Sequence, residues 1–161
     1  MQDSESTDGT LDGSMPPLAR GLVIVAGYGP VGRVVCDMLE AARFEVTVID
    51  INQRTTEKQH PHKRQFVLGD VRDPTVLIEA GIRKATALIL GIPNEDQAVI
   101  ACRVARELSP NIYIAARTNF VSKGLLATQA GADHVVIEEV ITAQAMKEAV
   151  MKHLVDINEA D

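Results

Sequence analysis

The sequence predicts a doubly wound α/β domain, a parallel six-stranded sheet with helices on both faces, and three observations carry that expectation. Six short β-branched runs alternate with segments whose apolar residues recur at helical spacing. The apolar fraction is 46% while aromatics are 3% and tryptophan is absent, so the core must be Val, Ile, Leu and Ala, as in buried parallel strands. A glycine-rich turn, Gly27-Tyr28-Gly29-Pro30-Val31-Gly32, joins the first run to the first helical segment. At 161 residues the chain has room for one such core.

The strands expected in order are 22–26 (LVIVA), 45–50 (EVTVID), 64–69 (RQFVLG), 86–91 (TALILG), 111–117 (NIYIAAR) and 134–137 (HVVI). Between the first two, Val31, Val34, Val35, Met38, Leu39 and Ala42 recur at steps of three and four, the spacing of one buried helix face. Ala98, Ala101, Cys102, Ala105 and Leu108 repeat that pattern before the fifth strand. Asp73 and Pro74 fit the cap and first residue of a helix, since proline there loses no hydrogen bond. Gly81 and Gly131 follow helical patterns and precede strands, as left-handed terminating residues do.

Residues 1–20 are polar and carry a Pro-Pro pair, which predicts a disordered tail or linker. The domain is expected over 21–155, with 156–161 a short C-terminal tail. The segment Glu138 to Val155 carries apolar residues most of the way round a helix, which must then be buried on more than one side. A self-association interface would bury it; so would a terminal helix folded back onto its own core.

Charge excludes several classes. A net charge of −6 with no basic stripe argues against a nucleic-acid partner. The longest basic cluster, 60–64 (HPHKR), reads as a solvated loop. No apolar stretch approaches the roughly 20 residues that cross a bilayer, and the acidic first residues do not resemble a secretory signal. Cys36 and Cys102 lie far apart with no ligand spacing around them, and are expected as small core residues in a reducing cytosol, with no metal.

The glycine turn fits G-x-G-x-x-G, and its context strengthens it: it follows a strand, opens a helix, and precedes Asp50 at the end of the second strand. Gly27 would permit the tight turn, Gly29 the approach of a diphosphate, and Gly32 close packing of helix on strand. The helix N-terminus offers free N–H groups to an anion. Asp50 can accept from both ribose hydroxyls and repel a 2′-phosphate, favouring NAD or an adenine nucleotide; Arg54 nearby weakens that preference, and Asp50 could instead cap the next helix. Asp70 and the Val71 N–H would meet adenine at the end of the third strand, unless Asp70 is a turn aspartate. Arg117 would offer its guanidinium to a phosphate in the same crevice, or pair with Glu138 or Glu139 at the surface.

Catalysis finds little support in the residues. Tyr113 is followed four residues later by Arg117 rather than lysine, no G-x-S-x-G elbow is present, and the histidines have no evident nucleophile partner. About 20 residues follow the sixth strand, too few for a substrate domain. Two rivals to a binding module remain: a fragment of an NAD-dependent oxidoreductase and a scaffold with an empty crevice.

The stretches VIVAGYGPVGRVV, VTVIDINQ, FVLGDVRDPTVLIEAGIRKATALIL, NEDQAVIACRVAREL and IYIAARTN through LLATQAGADHVVIEE together resemble the TrkA-N domain, also called the RCK (regulator of potassium conductance) N-lobe. The resemblance runs from about Gly21 to Val155, and its flavour is that of the cytosolic domain of Kef-type cation/proton antiporters. It implies a Rossmann-type fold and a non-enzymatic sensor of NAD(H) or AMP, ADP or ATP that gates potassium or cation transport. It further implies a homodimer or higher homo-oligomer through helices including 138–155. The membrane channel or antiporter would be on the same chain or a separate one, which places the domain in the cytoplasm at the inner face of the membrane. By position, Gly27, Gly29 and Gly32 would line the phosphates, Asp50 the ribose, Asp70 and Val71 the adenine, and Arg117 a phosphate. Tyr28, Pro30, Val31, Ile51, Asn52 and Asn94 complete the expected lining. Relatives often carry arginine where this sequence has Pro30, so Arg33 or Arg117 is left to meet the phosphate charge.

Overall fold

The computed structural model describes residues 20–57 and 64–158. The tail expected over 1–20 therefore lies outside the described residues except for Arg20, as do residues 159–161 of the expected C-terminal tail. Alternating β-branched runs give β1 (Leu22–Ala26), β2 (Glu45–Asp50), β3 (Gln65–Leu68), β4 (Ala87–Leu90), β5 (Tyr113–Thr118) and β6 (His134–Ile137). The helices between and after them are α1 (Pro30–Ala41), α2 (Gln53–Glu57), α3 (Pro74–Glu79), α4 (Glu95–Leu108), α5 (Val121–Gln129) and α6 (Glu138–Asn158). All pairings are parallel and the sheet order is β3-β2-β1-β4-β5-β6. This is the Rossmann-type doubly wound arrangement, with its switch point between β1 and β4.

Local chemistry sets the helix ends. The Asp73 carboxylate accepts from the Thr75 N–H at 2.8 Å, with Pro74 opening α3. Gly81 and Gly131 take positive φ of 90° and 116°, ending their helical segments as expected.

Two apolar cores lie on opposite faces of the sheet. One is built from Ile24, Leu88, Leu90, Ile114 and Ala116 against Leu77 of α3, Ala101, Cys102 and Ala105 of α4, and Ala127 of α5. The other joins Val23, Val25, Val46 and Val48 to Cys36 of α1, with Val35, Leu39 and Phe66 beside them. Among its members none comes from β5 or β6, so among the described residues no helix is packed over the α1 side of those strands.

The α1 face departs from the expectation. Val31, Val34 and Met38 are 44%, 69% and 61% exposed, whereas Gly32 and Cys36 are buried. Of the face expected to be buried, Val35 and Leu39 do pack against the core, while contact with the sheet is made beside them by Cys36 and by Gly32, where a Cβ would stand 1.8 Å from the Gly27 carbonyl oxygen. α6 likewise does not fold back, since every side chain from 139 to 155 is exposed in the single chain. It also runs to Asn158, beyond the expected end at 155. No described helix is long and apolar enough to cross a membrane.

Candidate functional site

Parallel strands bring their carboxyl ends to one edge, and there the loops after β1, β2, β3 and β4 meet. A cleft at this edge is lined by Ala26, Gly27, Ile49, Asp50, Ile51, Gly69, Asp70, Val71, Ile92 and Gln97. Five expected site residues, Gly27, Asp50, Ile51, Asp70 and Val71, are thus neighbours. Gly27 has φ of +92°, and its turn is held by its own N–H on the Ile49 carbonyl at 2.8 Å.

Gly29, Pro30 and Gly32 form the entry to α1. Gly29 is the N-cap in extended conformation, and its carbonyl accepts from the Arg33 N–H at 3.0 Å. No side chain caps this helix, so its first-turn N–H groups remain available to an anion. Pro30 at the first helical position has no N–H, which leaves those of Val31 and Gly32.

Asp50 is the central carboxylate. Its Oδ2 accepts from the Tyr28 N–H at 2.8 Å and its Oδ1 from the Asn52 N–H at 2.7 Å. Each oxygen keeps a further lone pair, the acceptor capacity that a vicinal diol needs. The alternative role for Asp50, capping α2, falls instead to Asn52, whose Oδ1 accepts from the Arg54 N–H at 3.0 Å. Ile51 is 74% exposed at the mouth of the cleft.

Asp70 lines the cleft, but its carboxylate is already engaged. Arg72 Nη2 donates to it at 2.6 Å and Nε at 3.0 and 3.1 Å, and the Arg72 N–H at 2.8 Å. That guanidinium holds the Asp70 carboxyl below its ordinary value. Val71 beside it is buried at 5% exposure.

Three expectations are corrected. The Tyr28 side chain points away from the cleft, at 5% exposure, and meets Phe66 edge to face at 5.3 Å; its part in the site is its backbone. Asn94 caps α4, accepting from the Gln97 N–H at 3.0 Å, and it is Gln97 that lines the cleft. Arg117 does not enter this cleft. Strand alternation buries Ile114, Ala116 and Thr118 under α4 and α5 and turns Arg117 to the opposite face. There Arg117 Nε lies 3.0 Å from Glu138 Oε1, angled so that this buried nitrogen makes no hydrogen bond.

Arg117 belongs to a second depression, a groove of about 330 Å³ lined mainly by Val31, Val35, Ile89, Ala115, Val136 and Ile141. It is the open α1 side of β4 to β6, floored by apolar side chains and walled by α1 and the start of α6. Expected site residue Val31 also faces it.

Sequence reasoning missed Ile92 and Gln97, although their places, just after β4 and in the first turn of α4, are the ones that a switch-point crevice uses. It also missed Arg64, read as part of a solvated basic cluster. Its side chain is 1% exposed, donating to Tyr28 Oη at 2.6 Å and Glu40 Oε1 at 2.5 Å and pairing with Asp37. Residues 60–63 of that cluster lie outside the described residues.

The TrkA-N domain model matches residues 23–138. A curated sequence of Methanocaldococcus jannaschii named "Probable potassium channel protein 2" is 33% identical over 128 residues, covering 78% of this chain and 37% of its own length. The chain spans 36 to 40% of the length of the first curated relatives it matches. The TrkA-N domain of the Escherichia coli inner membrane protein YbaL superposes with a TM-score of 0.75 at 28% identity, over 83% of this chain and 98% of that one. The Kef CTD of Shewanella denitrificans in its AMP-bound form shares the fold at a TM-score of 0.74 and 24% identity, over 83% and 81% of the two chains.

Proposed function

Since the chain belongs to the TrkA-N family, we propose that it is a regulatory domain that binds an adenine nucleotide, NAD(H) or AMP, ADP or ATP, and signals its presence to a membrane potassium or cation transporter. The observation that carries this reading is the cleft at the switch point, where Gly27, the Asp50 carboxylate and the Gly69–Val71 turn line one edge, with the uncapped N-terminus of α1 beginning just beyond Tyr28, whose N–H donates to Asp50. Those three features match phosphate, ribose and base in the order a nucleotide presents them. The AMP in the Shewanella Kef domain and the potassium-channel name of the Methanocaldococcus relative point the same way.

The role is binding rather than turnover. A ligand moves a transporter only through its differential affinity for two arrangements of the domain. The movable element is α6 with the surface it meets. Its Val140, Ile141, Met146, Val150, Met151, Leu154 and Val155 are all at least 45% exposed, while the groove beside α1 is apolar and open. Exchange of α6 between two copies would cover both surfaces reciprocally, so the domain works as a homodimer or a higher oligomer, held at the inner face of the membrane by its transporter.

Thermal unfolding with AMP, ADP, ATP, NAD and NADH tests the reading. A ligand at a hundredfold its dissociation constant adds about 2.7 kcal/mol to the folded state, a shift of several degrees. No shift with any of the five, and no nucleotide found by mass spectrometry of the purified protein, would remove the proposal. Nicotinamide-dependent turnover would replace it with an oxidoreductase.

A further inference from the structure

We infer that Arg64 is a positioning residue for the nucleotide site, acting through Tyr28 to fix the glycine loop and the ribose carboxylate of Asp50; the inference rests on the reading of the cleft given above. Arg64 stands just before β3 with its guanidinium sealed from water. Nη1 donates to Tyr28 Oη at 2.6 Å, Nε to Glu40 Oε1 at 2.5 Å, and Nη2 to Glu40 Oε2 at 2.9 Å and to Asp37. The same guanidinium lies 5.7 Å from the centroid of the Tyr28 ring, and the Arg33 guanidinium lies 5.1 Å from it. The two carboxylates of α1 hold the Arg64 charge firmly in its protonated form.

Packing alone does not require this arrangement. A phenylalanine at 28 would fill the same space against Phe66 without burying a hydroxyl that must then be bonded. What the hydroxyl adds is a fixed place for Tyr28, locked to α1 and β3 through one planar fork of donors. Tyr28 then holds the site from its backbone: its N–H donates to Asp50 Oδ2 at 2.8 Å, and its carbonyl accepts from Arg33 Nε at 3.2 Å. The ribose carboxylate and the cation nearest the loop are thus both set by one residue, and that residue is set by Arg64.

The test is isothermal titration of AMP and 2′-deoxy-AMP into the wild-type protein, Tyr28→Phe and Arg64→Lys. Tyr28→Phe keeps the ring and the backbone donor and removes only the hydroxyl. Arg64→Lys keeps a charge for Glu40 but loses the fork. Wild type should bind AMP more tightly than 2′-deoxy-AMP, because Asp50 accepts from the ribose hydroxyls. In both variants AMP affinity should fall about three- to tenfold, the scale of coupling between contacting residues, and the preference for AMP over 2′-deoxy-AMP should shrink by the same factor. Equal loss for both ligands would mark Arg64 as merely structural and overturn the inference, as would unchanged affinities. A wild type that binds both ligands equally also overturns it, by removing Asp50 from the ribose. A wild type that binds neither and is stabilised by none of ADP, ATP, NAD and NADH refutes the nucleotide reading itself, a distinct result.

Discussion

The Asp50 carboxylate and the Tyr28 amide, 22 residues apart, meet at 2.8 Å across the carboxyl ends of β1 and β2. A single acidic side chain therefore shapes the glycine loop before any ligand arrives, and the second strand and the loop cannot move independently. Asp50→Ala should reduce nucleotide affinity by about 1.5–3 kcal/mol, the loss of a charged hydrogen-bond acceptor, roughly ten- to a hundredfold by titration. It should also lower the melting temperature of the unliganded protein, because the Tyr28 and Asn52 N–H groups lose their acceptor.

Gly29 and Gly32 lead to separate expectations for binding and for folding. A Cβ on Gly32 would lie 1.8 Å from the Gly27 carbonyl oxygen, while one on Gly29 would meet nothing within 4 Å. Gly32→Ala should cost several degrees of melting temperature or abolish folding, since backbone must shift. Gly29→Ala should leave the melting temperature of the unliganded protein within a degree or two and weaken AMP binding at least about tenfold, because the methyl group occupies the approach of a phosphate. Unchanged binding by Gly29→Ala would mean that the phosphate lies elsewhere.

α6 supplies the test of assembly. Met146 and Val150, one turn apart, are 62% and 47% exposed in the single chain. Met146→Glu with Val150→Glu should convert an oligomer into a monomer by light scattering, because two carboxylates would then be buried without partners. An oligomer that survives the double substitution would exclude this face of α6 from the interface.

Cys36 and Cys102 are fully buried, and desolvation pushes both thiols up to about 11. At pH 8 neither thiolate is available, so a thiol reagent should label the native protein far more slowly than the urea-unfolded chain. Rapid labelling of two thiols per native chain would contradict the burial of both.

Asp133 ties β5 to the α5–β6 turn: its Oδ2 accepts from the Ile114 N–H at 2.8 Å and from Arg106 Nη2 at 2.9 Å. The Ile114 N–H first, then the Arg106 guanidinium, holds the carboxyl below its ordinary value of 3.8. A carboxyl depressed in the folded state stabilises it above the unfolded value and stops doing so as pH falls through the folded one. Asp133→Asn should therefore lower the urea midpoint at pH 7, and the gap to wild type should close below about pH 4. A gap that stays constant down to pH 2 would show that the charge is irrelevant.

By itself the sequence determined the six strands, the parallel sheet, the caps at Asp73 and Pro74, and the carboxyl edge where Gly27, Asp50 and Asp70 gather, because these follow from local period and from the fixed direction of each strand. On α1 it marked a face of which Val35 and Leu39 are packed but Val31, Val34 and Met38 are exposed, since periodicity marks a face without saying what covers it; the close approach that only Gly32 permits turned the helix. Arg117 was placed at the correct strand end but in the wrong space, because which side of β5 is buried depends on where α4 and α5 pack. Arg64 looked like a solvated charge. Only the tertiary structure brought Asp37 and Glu40 of α1 and the hydroxyl of Tyr28 around it, and a buried guanidinium exists only where a fold has assembled its partners.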